Sequence, residues 1–87
     1  MSIRVEFLGV VRQRAGIPQV DVEARSLGDA CGRLCQRLPA LRNTCLTETG
    51  LQPGFLASVN GRTFTRDPNA TLTAGDSLLI LSSDAGG

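Results

Sequence analysis

The chain has 87 residues, 41% of them apolar and 20% charged, with a formal net charge of +1. All nine basic residues are arginine; lysine, histidine, tyrosine and tryptophan are absent. A chain of this length makes one domain with one core, burying somewhat over ~60% of its unfolded surface, and its composition is that of a globular protein. Without histidine it lacks the commonest general base and metal ligand, and without lysine it cannot form a Schiff base. Near-neutral charge and three aromatic residues argue against a nucleic-acid partner. Charges interrupt Ile3-Arg4-Val5-Glu6 where a signal peptide needs an apolar run, and no segment approaches the ~20 apolar residues of a membrane span. A cytoplasmic protein with no membrane partner is expected. Its three cysteines, Cys31, Cys35 and Cys45, lack the pairing of a disulfide framework.

In chain order, residues 3 to 8 alternate, with Ile3, Val5 and Phe7 on a core face and Arg4, Glu6 and Leu8 opposite. Residues 9 to 17 hold Gly9, Gly16, Arg12 and Arg14 and read as a connecting loop. Beyond Pro18 a second alternating run, Val20 and Val22 against Asp21 and Glu23, suggests a hairpin with the first. Ser26 is placed as a helix N-cap, with Asp29 three residues on. Leu27, Ala30, Cys31, Leu34, Cys35 and Leu38 then form one apolar helical face, and the helix stops near Leu38, before Pro39. Asp29 and Arg33 form an i,i+4 pair, acid first.

Residues 39 to 54 offer Leu41, Cys45 and Leu46 for a helical turn or packed loop; Gly50, Pro53 and Gly54 break any longer element. Phe55 to Val59 reads as a strand, Asn60-Gly61 as a hairpin turn and Arg62 to Thr65 as the returning strand. Asp67-Pro68-Asn69 is a turn, Leu72 to Asp76 a tight loop plugged by Leu72, and Ser77 to Leu81 the last strand. One helix must cover one face of a mixed sheet to close a core. The expected fold is therefore α+β: a ubiquitin-like β-grasp with four to five strands and one main helix on one face. The domain takes residues 1–81, and residues 82–87 form a flexible tail. Cys31 and Cys35 sit on the apolar helix face and read as core, because zinc needs four ligands and no histidine completes a set. No metal and no cofactor bound by the chain itself is expected.

Phe55-Leu56-Ala57-Ser58-Val59-Asn60-Gly61, then Leu72-Thr73-Ala74-Gly75-Asp76, then an apolar strand and Gly86-Gly87, closely resemble the MoaD/ThiS sulfur-carrier family. Ile3 to Leu8 followed by Arg12 to Gly16 resembles its first strand and loop, so the resemblance spans nearly the whole chain. It implies a non-catalytic co-substrate. An adenylating enzyme related to ubiquitin-activating enzymes, using its own ATP and Mg²⁺, would activate the carboxylate of Gly87, and sulfur would replace the adenylate. Ala85 and Gly86 would be the tail leading to it. Six residues beyond Leu81 reach at most about 20 Å, and two glycines permit close backbone approach inside a partner's cleft.

The resemblance also bears on partners. With Leu78 and Ile80 facing the helix, Leu79 and Leu81 point outward, and Leu8 joins them to make a patch that suits partner docking. Ser82-Ser83-Asp84 stands where many relatives carry proline, which bears on partner identity. The length of the segment 39–54 favours the small subunit of molybdopterin synthase, or the related carrier that supplies sulfur for cysteine synthesis, over the shorter thiamin-pathway carriers. The first is the leading reading, with that enzyme's large subunit or another sulfur acceptor as second partner. Delivery of sulfur for cysteine or thiamin synthesis, and protein modification through Gly87, are the alternatives.

Overall fold

A computed structural model describes residues 2–83. Its strands are β1 (Ile3–Phe7), β2 (Gln19–Val22), β3 (Leu46–Thr47), β4 (Gly50–Leu51), β5 (Phe55–Val59), β6 (Thr63–Thr65) and β7 (Ser77–Ser82). Its helices are α1 (Val10–Ala15) and α2 (Leu27–Arg37), followed by a 3-10 turn over Pro39–Leu41. Five strands form one mixed sheet in the order β2-β1-β7-β5-β6. The first and last strands pair in parallel at its centre, Val5 against Leu78 and Phe7 against Ile80, and every other pairing is antiparallel. This is the expected ubiquitin-like β-grasp.

The alternation read in the sequence gives the core. Ile3, Val5, Phe7, Val22, Ala57, Leu78 and Ile80 are buried on one sheet face, against Leu27, Ala30, Cys31, Leu34 and Cys35 of α2. The helix starts as its residues dictate: Ser26 Oγ accepts from Asp29 N at 3.1 Å, and Asp29 Oδ2 accepts from Arg25 N at 3.1 Å. It ends at Leu38, half-buried and followed by Pro39. Asp29 and Arg33 approach to 3.8 Å across solvent-exposed side chains, a pair worth only a few tenths of a kcal/mol.

The connection 9–17 is not a plain loop. Val10–Ala15 is helical, and Val11 is fully buried. Gly16 ends that helix at φ 79°, its N–H donating to Arg12 O. In the sequence Gly16 reads as loop punctuation; in the structure it is a helix cap. β1 and β2 pair antiparallel as expected, but across this helical turn. The strand β7 runs one residue further than Leu81, because Ser82 pairs with Phe55; Arg62 belongs to the turn rather than to β6.

Residues 39–54 pack on α2. Leu41, Cys45 and Leu46 are fully buried, and β3 and β4 form a two-stranded ribbon whose turn lies over the helix. Two glycines allow that approach. A Cβ on Gly32 would stand 2.8 Å from Glu48 O, and one on Gly28 2.7 Å from Thr49 O and 3.1 Å from Pro68 O. Arg42 and Glu48 close the ribbon with an ion pair at 2.7 Å. The segment therefore covers the helix side and leaves the other sheet face open.

Candidate interaction face and tail exit

The two internal motifs behind the family resemblance meet in space. Asn60 Nδ2 donates to Asp76 Oδ1 at 3.0 Å, and Asn60 Oδ1 accepts from Ser77 N at 2.8 Å. Asp76 Oδ2 accepts from Thr73 N at 2.8 Å. The Asn60-Gly61 turn is thereby tied to the start of β7; Asn60 and Gly61, the central residues of the turn closed by Arg62 N donating to Val59 O at 3.0 Å, both take positive φ. The Asn60 amide, then the Thr73 backbone, hold the Asp76 carboxyl below its ordinary pKa. These residues do architectural work: they fix where the last strand begins.

The open sheet face carries the second feature. Register places Leu56 opposite Leu81, Ser58 opposite Leu79, and Phe64 opposite Ser58. Leu8 N donates to Ile80 O at 3.1 Å, continuing the parallel pairing one step so that Leu8 flanks Leu81. The three leucines picked from the sequence thus share one face. Leu8 is half exposed, and Leu79 and Leu81 are half-buried among their neighbours. Two further members were missed. Phe64, 65% exposed, is the most accessible large apolar residue described, and Leu56 lies beside Leu81. A signal existed for Leu56, which must point outward if Ala57 is inward. None existed for Phe64: a two-residue Asn-Gly loop would set it opposite Ala57, and the three-residue loop 60–62 sets it opposite Ser58 instead.

Leu8, Leu56 and Leu81 stand at the end of the sheet where β7 finishes. There Ser83 N donates to Gly54 O at 2.8 Å, and Ser82 Oγ donates to the same oxygen at 3.5 Å. Ala85, Gly86 and Gly87, the expected tail and reactive terminus, lie outside the described residues.

All three thiols are buried. Burial, with a smaller contribution from Cys35, pushes Cys31 up to about 12; burial also raises Cys35 and Cys45. Thiols protonated at neutral pH are neither nucleophiles nor ready ligands. Among the described residues no cluster of cysteine and carboxylate side chains has the makings of a metal site. Several arginines are engaged with the fold: Arg37 donates to Asp21 O at 2.6 Å and Arg66 to Phe55 O at 2.8 Å. Arg12 and Arg14, expected in a loop, ride on α1.

Fold and face together define a ubiquitin-like β-grasp domain with one sheet face uncovered by described residues. Structural comparison bears out the fold along the full chain. SAMP1 from Haloferax volcanii superposes with a TM-score of 0.82 at 23% identity, covering 100% of both chains. A chain of the Amycolatopsis orientalis BexX/CysO complex gives 0.79 at 20% identity, over 98% of this chain and 99% of that one. A chain from the complex of subunits 1 and 2 of molybdopterin-converting factor from Helicobacter pylori gives 0.66 at 18%, covering 100% of both. No family model matches the sequence, and no curated protein does. Among the described residues no helix is long and apolar enough to cross a membrane.

Proposed function

We propose that this chain is a sulfur carrier that works through the carboxylate of Gly87. A partner enzyme joins that carboxylate to AMP from ATP, releasing pyrophosphate. A hydrosulfide equivalent then displaces AMP and leaves a thiocarboxylate. The chain supplies a co-substrate and a docking face; ATP and Mg²⁺ belong to the partner. The observation that carries the reading is positional. The strand preceding Gly86-Gly87 ends beside the exposed Leu8 and the half-buried Leu56 and Leu81, so a partner seated on that face meets the end of β7. The likeness to SAMP1 and to a chain of the molybdopterin-converting factor complex, each over the whole chain, supports it. The burial of all three thiols suits a reduced, cytoplasmic setting.

Within that role we propose the small subunit of molybdopterin synthase as the leading reading, supported by the likeness to a chain of the Helicobacter pylori complex; the length of the 39–54 segment suits that subunit and a cysteine-synthesis carrier alike. A second reading, a carrier for cysteine synthesis or a protein modifier, is favoured by the higher TM-scores of 0.79 and 0.82. The deciding experiment weighs the protein after incubation with ATP, Mg²⁺, sulfide and its adenylating enzyme. Conversion of carboxylate to thiocarboxylate adds about 16 Da. Deletion of Gly86 and Gly87 abolishes the gain and leaves the unfolding midpoint unchanged. An unshifted mass with a demonstrably active enzyme sinks the carrier reading. Supplying the thiocarboxylate to molybdopterin-synthase large subunit, or to a cysteine-forming enzyme, separates the two assignments.

A further inference from the structure

Resting on the carrier reading, we propose that Arg66 is a positioning residue for the tail: its guanidinium braces the 52–55 turn, and that turn's carbonyl sets the point from which the chain leaves β7. The geometry begins with β6, which stops at Thr65. Two residues from Ala57, the last β5 residue paired with β6, the Phe55 carbonyl has no β6 partner among the described residues, and Arg66 takes the place of one. Its Nη1 donates to Phe55 O at 2.8 Å and its Nη2 to Gln52 O at 3.5 Å. One planar cation thus bridges the two ends of the turn Gln52-Pro53-Gly54-Phe55, which closes through Phe55 N donating to Gln52 O at 3.2 Å.

Proline second and glycine third, with Gly54 at φ 90°, are the signature of a type II turn. The carbonyl presented by Gly54 is the acceptor for Ser83 N and Ser82 Oγ. Arg66 therefore acts on the tail through three links: guanidinium, turn, Ser83 amide. Pinning Ser83 fixes the point from which the residues that follow it depart. A partner that must thread them into a narrow cleft then has less chain entropy to remove on binding.

The test starts without a partner. In full-length protein, Arg66→Ala and Gly54→Ala each accelerate amide hydrogen exchange at Ser83 by about tenfold, the loss of roughly one hydrogen bond. Amides at the centre of β7 stay protected, and Arg66→Lys, able to reach one carbonyl, recovers part of the protection. Unchanged Ser83 exchange in Arg66→Ala overturns the proposal.

The second arm measures carrier-dependent ATP–pyrophosphate exchange by the adenylating enzyme. Both alanine variants raise KM for the carrier by about threefold to tenfold and keep kcat within about twofold, the pattern of lost binding preorganisation. An unaltered KM in both variants overturns the positioning role. A KM that rises for Arg66→Ala but not for Gly54→Ala also overturns it, because Arg66 then touches the partner directly. If wild-type protein supports no exchange, the carrier reading falls, while Ser83 protection still decides whether Arg66 holds the turn.

Discussion

Asn60 sits at φ 55°, a conformation that asparagine tolerates and alanine resists. Its side chain is the acceptor for Ser77 N and the donor to Asp76. Asn60→Ala is therefore expected to cost about 2 kcal/mol, from backbone strain and the abandoned Ser77 amide. Chemical denaturation checks this; a loss under about 0.5 kcal/mol would show that the turn holds without the side chain. The same pair predicts a pH effect. The folded pKa of Asp76 is depressed, so its contribution is present above the ordinary carboxylate range and is lost as pH falls through the lower, folded value. The stability gap between wild type and Asn60→Ala should narrow as pH drops below about 4. A gap that is constant down to the acid transition would remove Asp76 from the account.

Elements here are held by contacts between distant segments, and α2 shows how. Alanine at Gly28 would gain helix propensity but drive a methyl group into two backbone carbonyls, at 2.7 and 3.1 Å. Overpacking of this kind costs about 1–3 kcal/mol, more than the up to ~1 kcal/mol returned by propensity. Gly28→Ala should lower stability by about 2 kcal/mol, read from denaturant midpoints. A stabilised variant would mean that the ribbon yields. These glycines also mark where the sequence stopped being legible. Alternation in Ile3–Phe7, the Ser26 cap and the Asn60-Gly61 turn are local signals, and each element they announced is present. The ribbon over α2 depends on contacts between residues 48–49 and 28–32, which no periodicity within residues 39–54 reports. Likewise Val11 is buried because α1 folds back on the sheet, and a run of six residues between two glycines carries little helical period. At the candidate site the outward leucines of β7 could be read because β7 alternates; Phe64 lies on a strand of three residues, too short to show a face.

For the molecule as a whole, the open face is the surface to alter. Phe64→Ser removes an exposed ring from a strand that keeps its pairing, so folding stability should change by less than about 0.5 kcal/mol. On the proposed carrier role, binding to an adenylating enzyme should weaken roughly tenfold or more, since exposed aromatics anchor interfaces. Calorimetric titration of both proteins checks this, and equal affinities would place docking elsewhere. The central position of β7 has a further consequence, one of timing. Its neighbours are β1, some seventy residues earlier, and β5, so the middle of the sheet cannot close until residues 77–82 exist. Topologies dominated by such distant pairings fold slowly for their size. During synthesis β1, β2 and α2 emerge with their apolar faces unmatched. The same strand that leads to the glycines thus also completes the fold, and a nascent chain interrupted before it has no closed core.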